Sequence, residues 1–270
     1  TLMRSSAASD VYKRQMQVIP SGCESCEENK YEVSNVCKGC LAHPCQEVCP
    51  RGAISMVNGK SFIDQDKCIK CGKCKSVCPY DAIAKKERPC KKACGVNAIT
   101  SDKLGRAYID ADKCVSCGMC MVSCPFGAIS SKSCVVDVCQ AIVEKKHVYA
   151  MFAPSTEGQF GEGITFESWR NALKEVGFTD LVEVGLGGDM TAYAEAAEWA
   201  EAYRDGKKMT TSCCPGFVNL IRLHYPDLLD HISTTVSPMC AVSRWIKSKD
   251  PEAITVFVGP CIAKKSEVID

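Results

Sequence analysis

The chain has 270 residues, with 33 Lys and Arg against 32 Asp and Glu, and a net charge of +1. That balance gives no electrostatic footprint for nucleic acid or an anionic membrane surface. No apolar run approaches the ~20 residues of a membrane span, and no signal peptide is visible. The 22 cysteines stand at metal-ligand spacing instead of a secreted disulfide pattern, so a reducing, anaerobic cytoplasm is the expected compartment.

In chain order, residues 1–15 are set apart first. The run Ser5-Ser6-Ala7-Ala8-Ser9-Asp10-Val11-Tyr12-Lys13-Arg14-Gln15 resembles translated adapter sequence and is left out of the fold argument. Residues 16–32 carry Cys23-x2-Cys26. Two full cubane motifs follow, Cys68-x2-Cys71-x2-Cys74-x3-Cys78-Pro79 and Cys114-x2-Cys117-x2-Cys120-x3-Cys124-Pro125. An internal repeat runs through the same region. Cys49-Pro50-Arg51-Gly52-Ala53-Ile54 recurs at Cys78–Ile83, Cys94–Ile99 and Cys124–Ile129. Each unit reads as the short helix end and strand of a ferredoxin half. The Ala-Ile pair is expected to pack against a cluster, and the residue before it to make a tight turn. Four halves predict two dicluster modules, 33–84 and 85–131.

In such modules each motif gives three thiolates to one [4Fe-4S] cluster and its Cys-Pro cysteine to the other. This assigns Cys37, Cys40 and Cys45 with Cys78, and Cys68, Cys71 and Cys74 with Cys49. It also assigns Cys114, Cys117 and Cys120 with Cys94. A fourth cluster has Cys90 and Cys124 but lacks its first two ligands. Cys23 and Cys26 could fold back to supply them, with Cys134 and Cys139 as rival donors. Cys139 is expected to be buried and inert on the apolar stripe of its helix. His43 reads as a loop residue. Three to four cubanes, each carrying a charge of about −2 with its thiolates, would turn this near-neutral chain acidic.

Beyond residue 131 the pattern changes. Residues 134–145 predict a helix, His147–Ala153 a buried strand, and Phe166–Val176 a helix closed by Gly177. Leu181–Val184 predicts a short strand, and Asp189 the cap of a long helix running to Arg204. Lys208–Ser212 predicts a strand, Pro215 and Ser237-Pro238 the starts of two helices, and Ala253–Gly259 a last strand. Alternating strands and helices imply a parallel α/β sheet with active residues at the strand ends.

Two signatures stand at those expected ends, Thr211-Ser212-Cys213-Cys214-Pro215-Gly216 and Gly259-Pro260-Cys261-Ile262-Ala263-Lys264-Lys265-Ser266-Glu267. Together they resemble the first two cluster-binding motifs of the [FeFe]-hydrogenase catalytic domain. Ala153-Pro154-Ser155, Gly188-Asp189-Met190-Thr191 with Glu195 and Glu198, and Ser233 with Ser237-Pro238 resemble further segments of that family. The resemblance covers about residues 33–270. It implies α+β ferredoxin-like dicluster modules followed by an α/β [FeFe]-hydrogenase catalytic domain over 132–270. It implies Cys214 and Cys261 as ligands of the H-cluster cubane, and Pro154, Ser155 and Ser237 as the lining of its diiron pocket. Cys213 becomes the proton-exchanging thiol, followed by Glu198, Ser233 and Glu195 as a relay, and Lys264 a donor to a cyanide ligand. Phe217 stands where many members have tryptophan, and Met239 and Gly259 replace a glutamine and a methionine common near the diiron site.

The implied activity is reversible H2 oxidation and proton reduction, with electrons from ferredoxin or a similar low-potential carrier. H-cluster maturation proteins are implied partners. The family's third motif lies outside this sequence, so the chain reads as a fragment of a longer protein. The rival readings are a hydrogenase-like iron–sulfur assembly factor, an H2 sensor and a polyferredoxin carrier. Retention of Cys213 argues against the first, and the signatures at 211–216 and 259–267 go unexplained by the last.

Overall fold

A computed structural model of the chain describes residues 15–267. The adapter-like segment lies outside the described residues except for Gln15, which is buried and accepts a hydrogen bond from Lys132 N at 3.0 Å. The chain divides into two compact units. Among the described residues, one comprises Val18–Tyr108 and Met119–Ile129, and the other residues 15–17, 109–118 and 130–267.

The first unit is built from very short elements. These are β1 (Met16–Val18), β2 (Lys30–Val33), α1 (Pro44–Glu47), β3 (Ile54–Val57), β4 (Lys60–Ile63), α2 (Lys73–Ser76), β5 (Ile83–Lys86), α3 (Pro89–Lys92), β6 (Ile99–Ser101), β7 (Ala107–Ile109), α4 (Met119–Val122) and β8 (Ile129–Ser131). β2 pairs antiparallel with β5, matching Val33 to Ile83, and β3 with β4, matching Ile54 to Ile63. β6 pairs with β7, and β1 with β8. The strand that closes the second ferredoxin module therefore comes from before the first module, which is nested inside it. Ile19 N donates to Ala128 O at 2.8 Å and fixes that return.

The fourfold repeat has one physical form. After each repeat cysteine the backbone turns through a left-handed residue, at Gly52, Asp81, Asn97 and Gly127, with φ between 44° and 62°. Glycine, asparagine and aspartate tolerate this conformation where branched residues do not. The amides of these four residues donate to the carbonyls of Cys49, Cys78, Cys94 and Cys124. The turn delivers the Ala-Ile pair inward, and all eight of those residues are at most 3% exposed. Each isoleucine so buried contributes about 2 kcal/mol. Tyr31, Ile54, Ile63 and Ile83 interleave with Cys45 and Cys74 in one such core.

The second unit continues with α5 (Val135–Val143), β9 (Val148–Phe152), α6 (Phe166–Val176), β10 (Asp180–Glu183), α7 (Gly185–Arg204), α8 (Pro215–His224), α9 (Pro238–Lys249) and β11 (Ile254–Val258). Its sheet is parallel, in the order β10-β9-β11. Ala150, Phe152 and Leu181 pack on Phe166, Trp169 and Leu173 of α6. Met151 packs with Met239, Val242 and Ile246 of α9, so helices cover both faces as a parallel sheet requires. Thr165 caps α6 by accepting from Ser168 N, and Gly177 closes it at φ 113°.

Three expectations fail. Asp189 does not cap α7, which begins at Gly185. The glycine run remains helical because α7 must approach α9 closely. A Cβ on Gly187 would lie 2.1 Å from Pro238 O. Lys208–Ser212 is not a strand but one parallel bridge between Thr210 and Ile232, so Cys213 and Cys214 follow extended coil. Cys139 is exposed, because α5 buries Ala141 and leaves Val135, Val136 and Val143 open.

The contact at Gly187 gives a paired prediction. Gly187→Ala is expected to lower the urea midpoint of the anaerobically purified chain, at a cost of about 1–3 kcal/mol. Gly188→Ala, where a Cβ meets nothing within 4 Å, is expected to be neutral or to stabilise by up to about 1 kcal/mol.

Candidate metal centres and proton relay

In the first unit the structure gathers cysteines around three cavities. Cys37, Cys40, Cys45 and Cys78 line one, with Ala82 and Ile83 beneath. Cys49, Cys68, Cys71 and Cys74 line another, with Ala53 and Ile54. Cys23, Cys26, Cys90 and Cys124 line the third, with Ala128 and Ile129. Backbone amides point at several of the sulfurs. Ala53 N donates to Cys49 Sγ at 3.3 Å, Ala82 N to Cys78 Sγ at 3.4 Å, Lys70 N to Cys68 Sγ at 3.4 Å and Ala107 N to Cys23 Sγ at 3.4 Å. Such bonds stabilise thiolate sulfur. His43 adopts a left-handed conformation ahead of α1 and does not line the cavity of its neighbouring cysteines.

The electrostatics of these cavities ask for metal. Burial pushes the Cys74 and Cys90 thiols up. Cys68 and Cys71 push the first further, and Cys124 and Cys26 the second. At Cys37 the amides of Ser61 and Gly39 pull the thiol below its ordinary range. Four thiolates around one apolar space repel unless cations stand between them. Among the described residues no group is arranged to hold a single metal ion. A cubane differs, because each thiolate binds a separate iron corner and the sulfurs stand further apart. The donor sets therefore fit [4Fe-4S] clusters. For the remaining set, Ala98 N donates to Cys94 Sγ at 3.2 Å, Cys120 is buried on α4, Cys114 is half-buried and Cys117 is exposed. No disulfide joins any of the 22 cysteines.

In the second unit Cys214 caps α8, and Cys261 caps the 3-10 turn Ile262–Ser266. The two first turns touch, since a Cβ on Gly216 would lie 3.6 Å from that of Ala263 and 3.9 Å from Cys214 Sγ. Asn219 Nδ2 donates to Ser266 Oγ at 3.4 Å along the same contact. Cys213, one residue earlier, is exposed, and its amide donates to Thr211 Oγ1 at 3.3 Å.

Both glutamates of α7 are held by hydroxyls. Glu195 accepts from Thr211 Oγ1 at 2.8 Å and from Ser212 N at 3.0 Å. Glu198 accepts from Ser233 Oγ at 2.6 Å, Thr234 N at 2.9 Å, Thr234 Oγ1 at 3.1 Å and Thr235 Oγ1 at 3.3 Å. Burial raises the Glu198 carboxyl, but these donors together hold it below the usual carboxylate range. Of the expected relay Cys213, Glu198, Ser233 and Glu195, the structure joins Glu198 to Ser233 by a hydrogen bond. Glu195 is anchored to the two residues before Cys213, while Glu198 and Ser233 pair with each other. The Thr-Thr run after Ser233 was the overlooked signal for the cradle of Glu198.

Lys264 Nζ is buried without a hydrogen-bond acceptor, 3.7 Å from Glu267 Oε2 and 5.9 Å from the centre of the Phe257 ring. An ammonium so placed suits an anionic ligand. Ser237 caps α9 and donates to Glu267 Oε2 at 2.9 Å. Ser237, Ser233, Ser212, Cys240 and Glu267 line one cavity of about 630 Å³. Pro154, in the turn after β9, lines another of about 270 Å³ with Phe160, Trp169 and Glu183. Ser155 is exposed, and its carbonyl accepts from Gln159 Nε2 at 2.5 Å. Sequence reasoning missed Glu267 as the residue joining Lys264 to Ser237. Its place three residues after Lys264 was the available clue.

A depressed carboxyl pKa stabilises the fold above the unfolded value of about 4.3, and that gain is lost as pH falls through the folded value. The advantage of wild type over Glu198→Gln in urea midpoint is therefore expected to vanish in acid. With Ser233→Ala as background the loss should begin at higher pH, and the fold should be weaker by about 1–2 kcal/mol.

The family described as "Iron only hydrogenase large subunit, C-terminal domain" matches residues 146–270, and "4Fe-4S binding domain" matches 62–84 and 107–130. The chain is 33% identical over 141 residues to iron hydrogenase 1 of Clostridium pasteurianum, covering 46% of this chain and 24% of that protein. It is 31% identical over 137 residues to the periplasmic [Fe] hydrogenase large subunit of Nitratidesulfovibrio vulgaris, covering 44% and 32%. It is 43% identical over 56 residues to the electron transport protein HydN of Escherichia coli, covering 21% and 32%. The matched stretches thus span about a quarter to a third of these relatives. With cubane motifs in its first unit and this domain in its second, the chain is an [FeFe]-hydrogenase-like iron–sulfur protein.

Proposed function

We propose that the chain serves reversible H2 oxidation and proton reduction, in the cytoplasm, exchanging electrons with ferredoxin or a similar low-potential carrier. The single observation that carries this reading is the anchoring of Glu195 to Thr211 and Ser212, directly beside Cys213. A pure electron carrier needs no carboxylate anchored to the two residues that precede a cysteine. Four [4Fe-4S] clusters occupy the ferredoxin region, on the four cysteine sets assigned above. Cys214 and Cys261 hold the cubane of an H-cluster, installed by maturation proteins. When bound, that group supplies hydrogen activation itself.

The residues of this chain then have separable tasks. Cys213 hands a proton to the group or takes one from it. Glu195 is the acceptor nearest its segment, and Ser212 and Thr235 tie Glu195 to Glu198. Ser233 keeps Glu198 ionised and oriented toward the far end of the relay. Lys264, ion-paired with Glu267 but without a hydrogen-bond acceptor, offers its ammonium to an anionic ligand, and Ser237 fixes Glu267 in turn. Among the described residues no helix is long and apolar enough to cross a membrane, which fits exchange with a diffusing carrier.

The test is expression of the gene that encodes this chain, read to its own stop codon, anaerobically and with maturation proteins. H2 evolution from reduced viologen is expected, with a loss of at least about 100-fold in Cys213→Ala, the range for removal of a proton-transfer group. Full cubane loading without H2 evolution in the wild type would contradict the reading.

A further inference from the structure

Arg88 has no part in the chemistry above, yet it is 4% exposed and lines the cavity of Cys23, Cys26, Cys90 and Cys124. Its Nε and Nη2 donate to Cys26 O at 3.0 and 2.7 Å, and Nη2 also donates to Gly105 O at 2.6 Å. The side chain is thereby locked to the segment that carries two of the four cysteines. Nη1 is buried with no hydrogen-bond acceptor. It stands 3.5 Å from Glu28 Oε1, too far for a hydrogen bond but close enough for charge attraction. Glu28 is already engaged by Lys91 Nζ and Ser101 Oγ, each at 2.5 Å. Two cations thus face one carboxylate, and a net positive charge remains beside the cavity. The carboxylate that lines this cavity, Glu24, is exposed, so water screens it.

The other two cavities lack this feature. The cations that line them, Lys38 and Lys73, are exposed. A charge in a low-dielectric interior acts far more strongly than one in water. Reduction adds one negative charge to a cubane, and a buried cation or a hydrogen bond to its sulfur stabilises that added charge.

We propose that Arg88 is an electrostatic tuning residue for the cubane of Cys23, Cys26, Cys90 and Cys124. It makes this cubane the highest-potential ferredoxin-type cluster of the chain, the one where a single electron settles first. This rests on the four-cubane reading given above. The step is a transfer of one electron from the low-potential carrier, which is left oxidised by one electron, to this cluster. No atom or proton moves with it. The guanidinium, buried on the wall of the cavity, is the charge that meets the added electron.

The experiment is a potentiometric titration followed by EPR on the anaerobically loaded chain, with iron and sulfide counted for each variant. Cys23→Ala with Cys26→Ala identifies the signal of this cluster by removing it, together with about four iron atoms. If no signal and no iron are lost, the four-cubane reading fails and the proposal with it. With the signal identified, Arg88→Gln is expected to shift it to lower potential while the other signals stay in place. Glu28→Gln, which removes the opposing charge, is expected to shift the same signal upward. Arg88→Lys, which keeps a cation but loses the fork, is expected to fall between Arg88→Gln and wild type. Should Arg88→Gln fail to load its cluster, Glu28→Gln decides by the sign of its shift. A highest-potential signal that belongs to another cluster, or one unmoved by both Arg88→Gln and Glu28→Gln at full iron content, would overturn the proposal.

Discussion

Mutual repulsion among closely held thiolates is the constraint on which this molecule depends. Three sets of four cysteines each line a single apolar cavity, and burial already opposes ionisation at Cys74 and Cys90. Protonation relieves it in the metal-free chain, and iron placed between the sulfurs relieves it while keeping them as thiolate ligands, so metal binding couples to the fold of the first unit. The short strands and one-turn helices would be marginal alone. They are defined instead by left-handed turns that set an Ala-Ile pair beneath each cavity. Nesting of one module inside the other follows from the same need. The third cavity takes Cys23 and Cys26 from before the inserted module and Cys90 and Cys124 from after it.

The second unit answers a different requirement. It presents cysteines and anchored carboxylates without letting either collapse into a core. Helix caps achieve the first, with Cys214 and Cys261 at the starts of two touching elements. Hydroxyl cradles achieve the second. Glu195 and Glu198 lie on one face of α7, and Thr and Ser side chains from two separate segments meet them. The close passage of α7 over α9 at Gly187 sets where that face sits.

Much of this was legible in the residues. The repeat Cys-x3-Ala-Ile announces four equivalent turns, and the structure repeats the same amide-to-carbonyl bond at each. Thr165 and Gly177 bracket α6 as their chemistry predicts. The failures are tertiary in origin. Asp189 is a sound cap in isolation, but packing against Pro238 holds the preceding glycines helical. Lys208–Ser212 has strand-like composition and finds only a single bridge at Ile232. The stripe on α5 has apolar spacing, yet Cys139 and three of its valines stay exposed. Which hydroxyl reaches which carboxylate of α7 is set by the segments that meet the helix, and spacing along one helix carries no such information.

In the proposed function, cubanes and hydrogen chemistry form one electrical circuit. The decisive measurement exposes the oxidised, matured protein to H2 alone and follows the cubane EPR signals. Reduced cubane signals are expected under H2, with no other reductant present. Cubanes that stay oxidised under H2 while dithionite reduces them fully would contradict it.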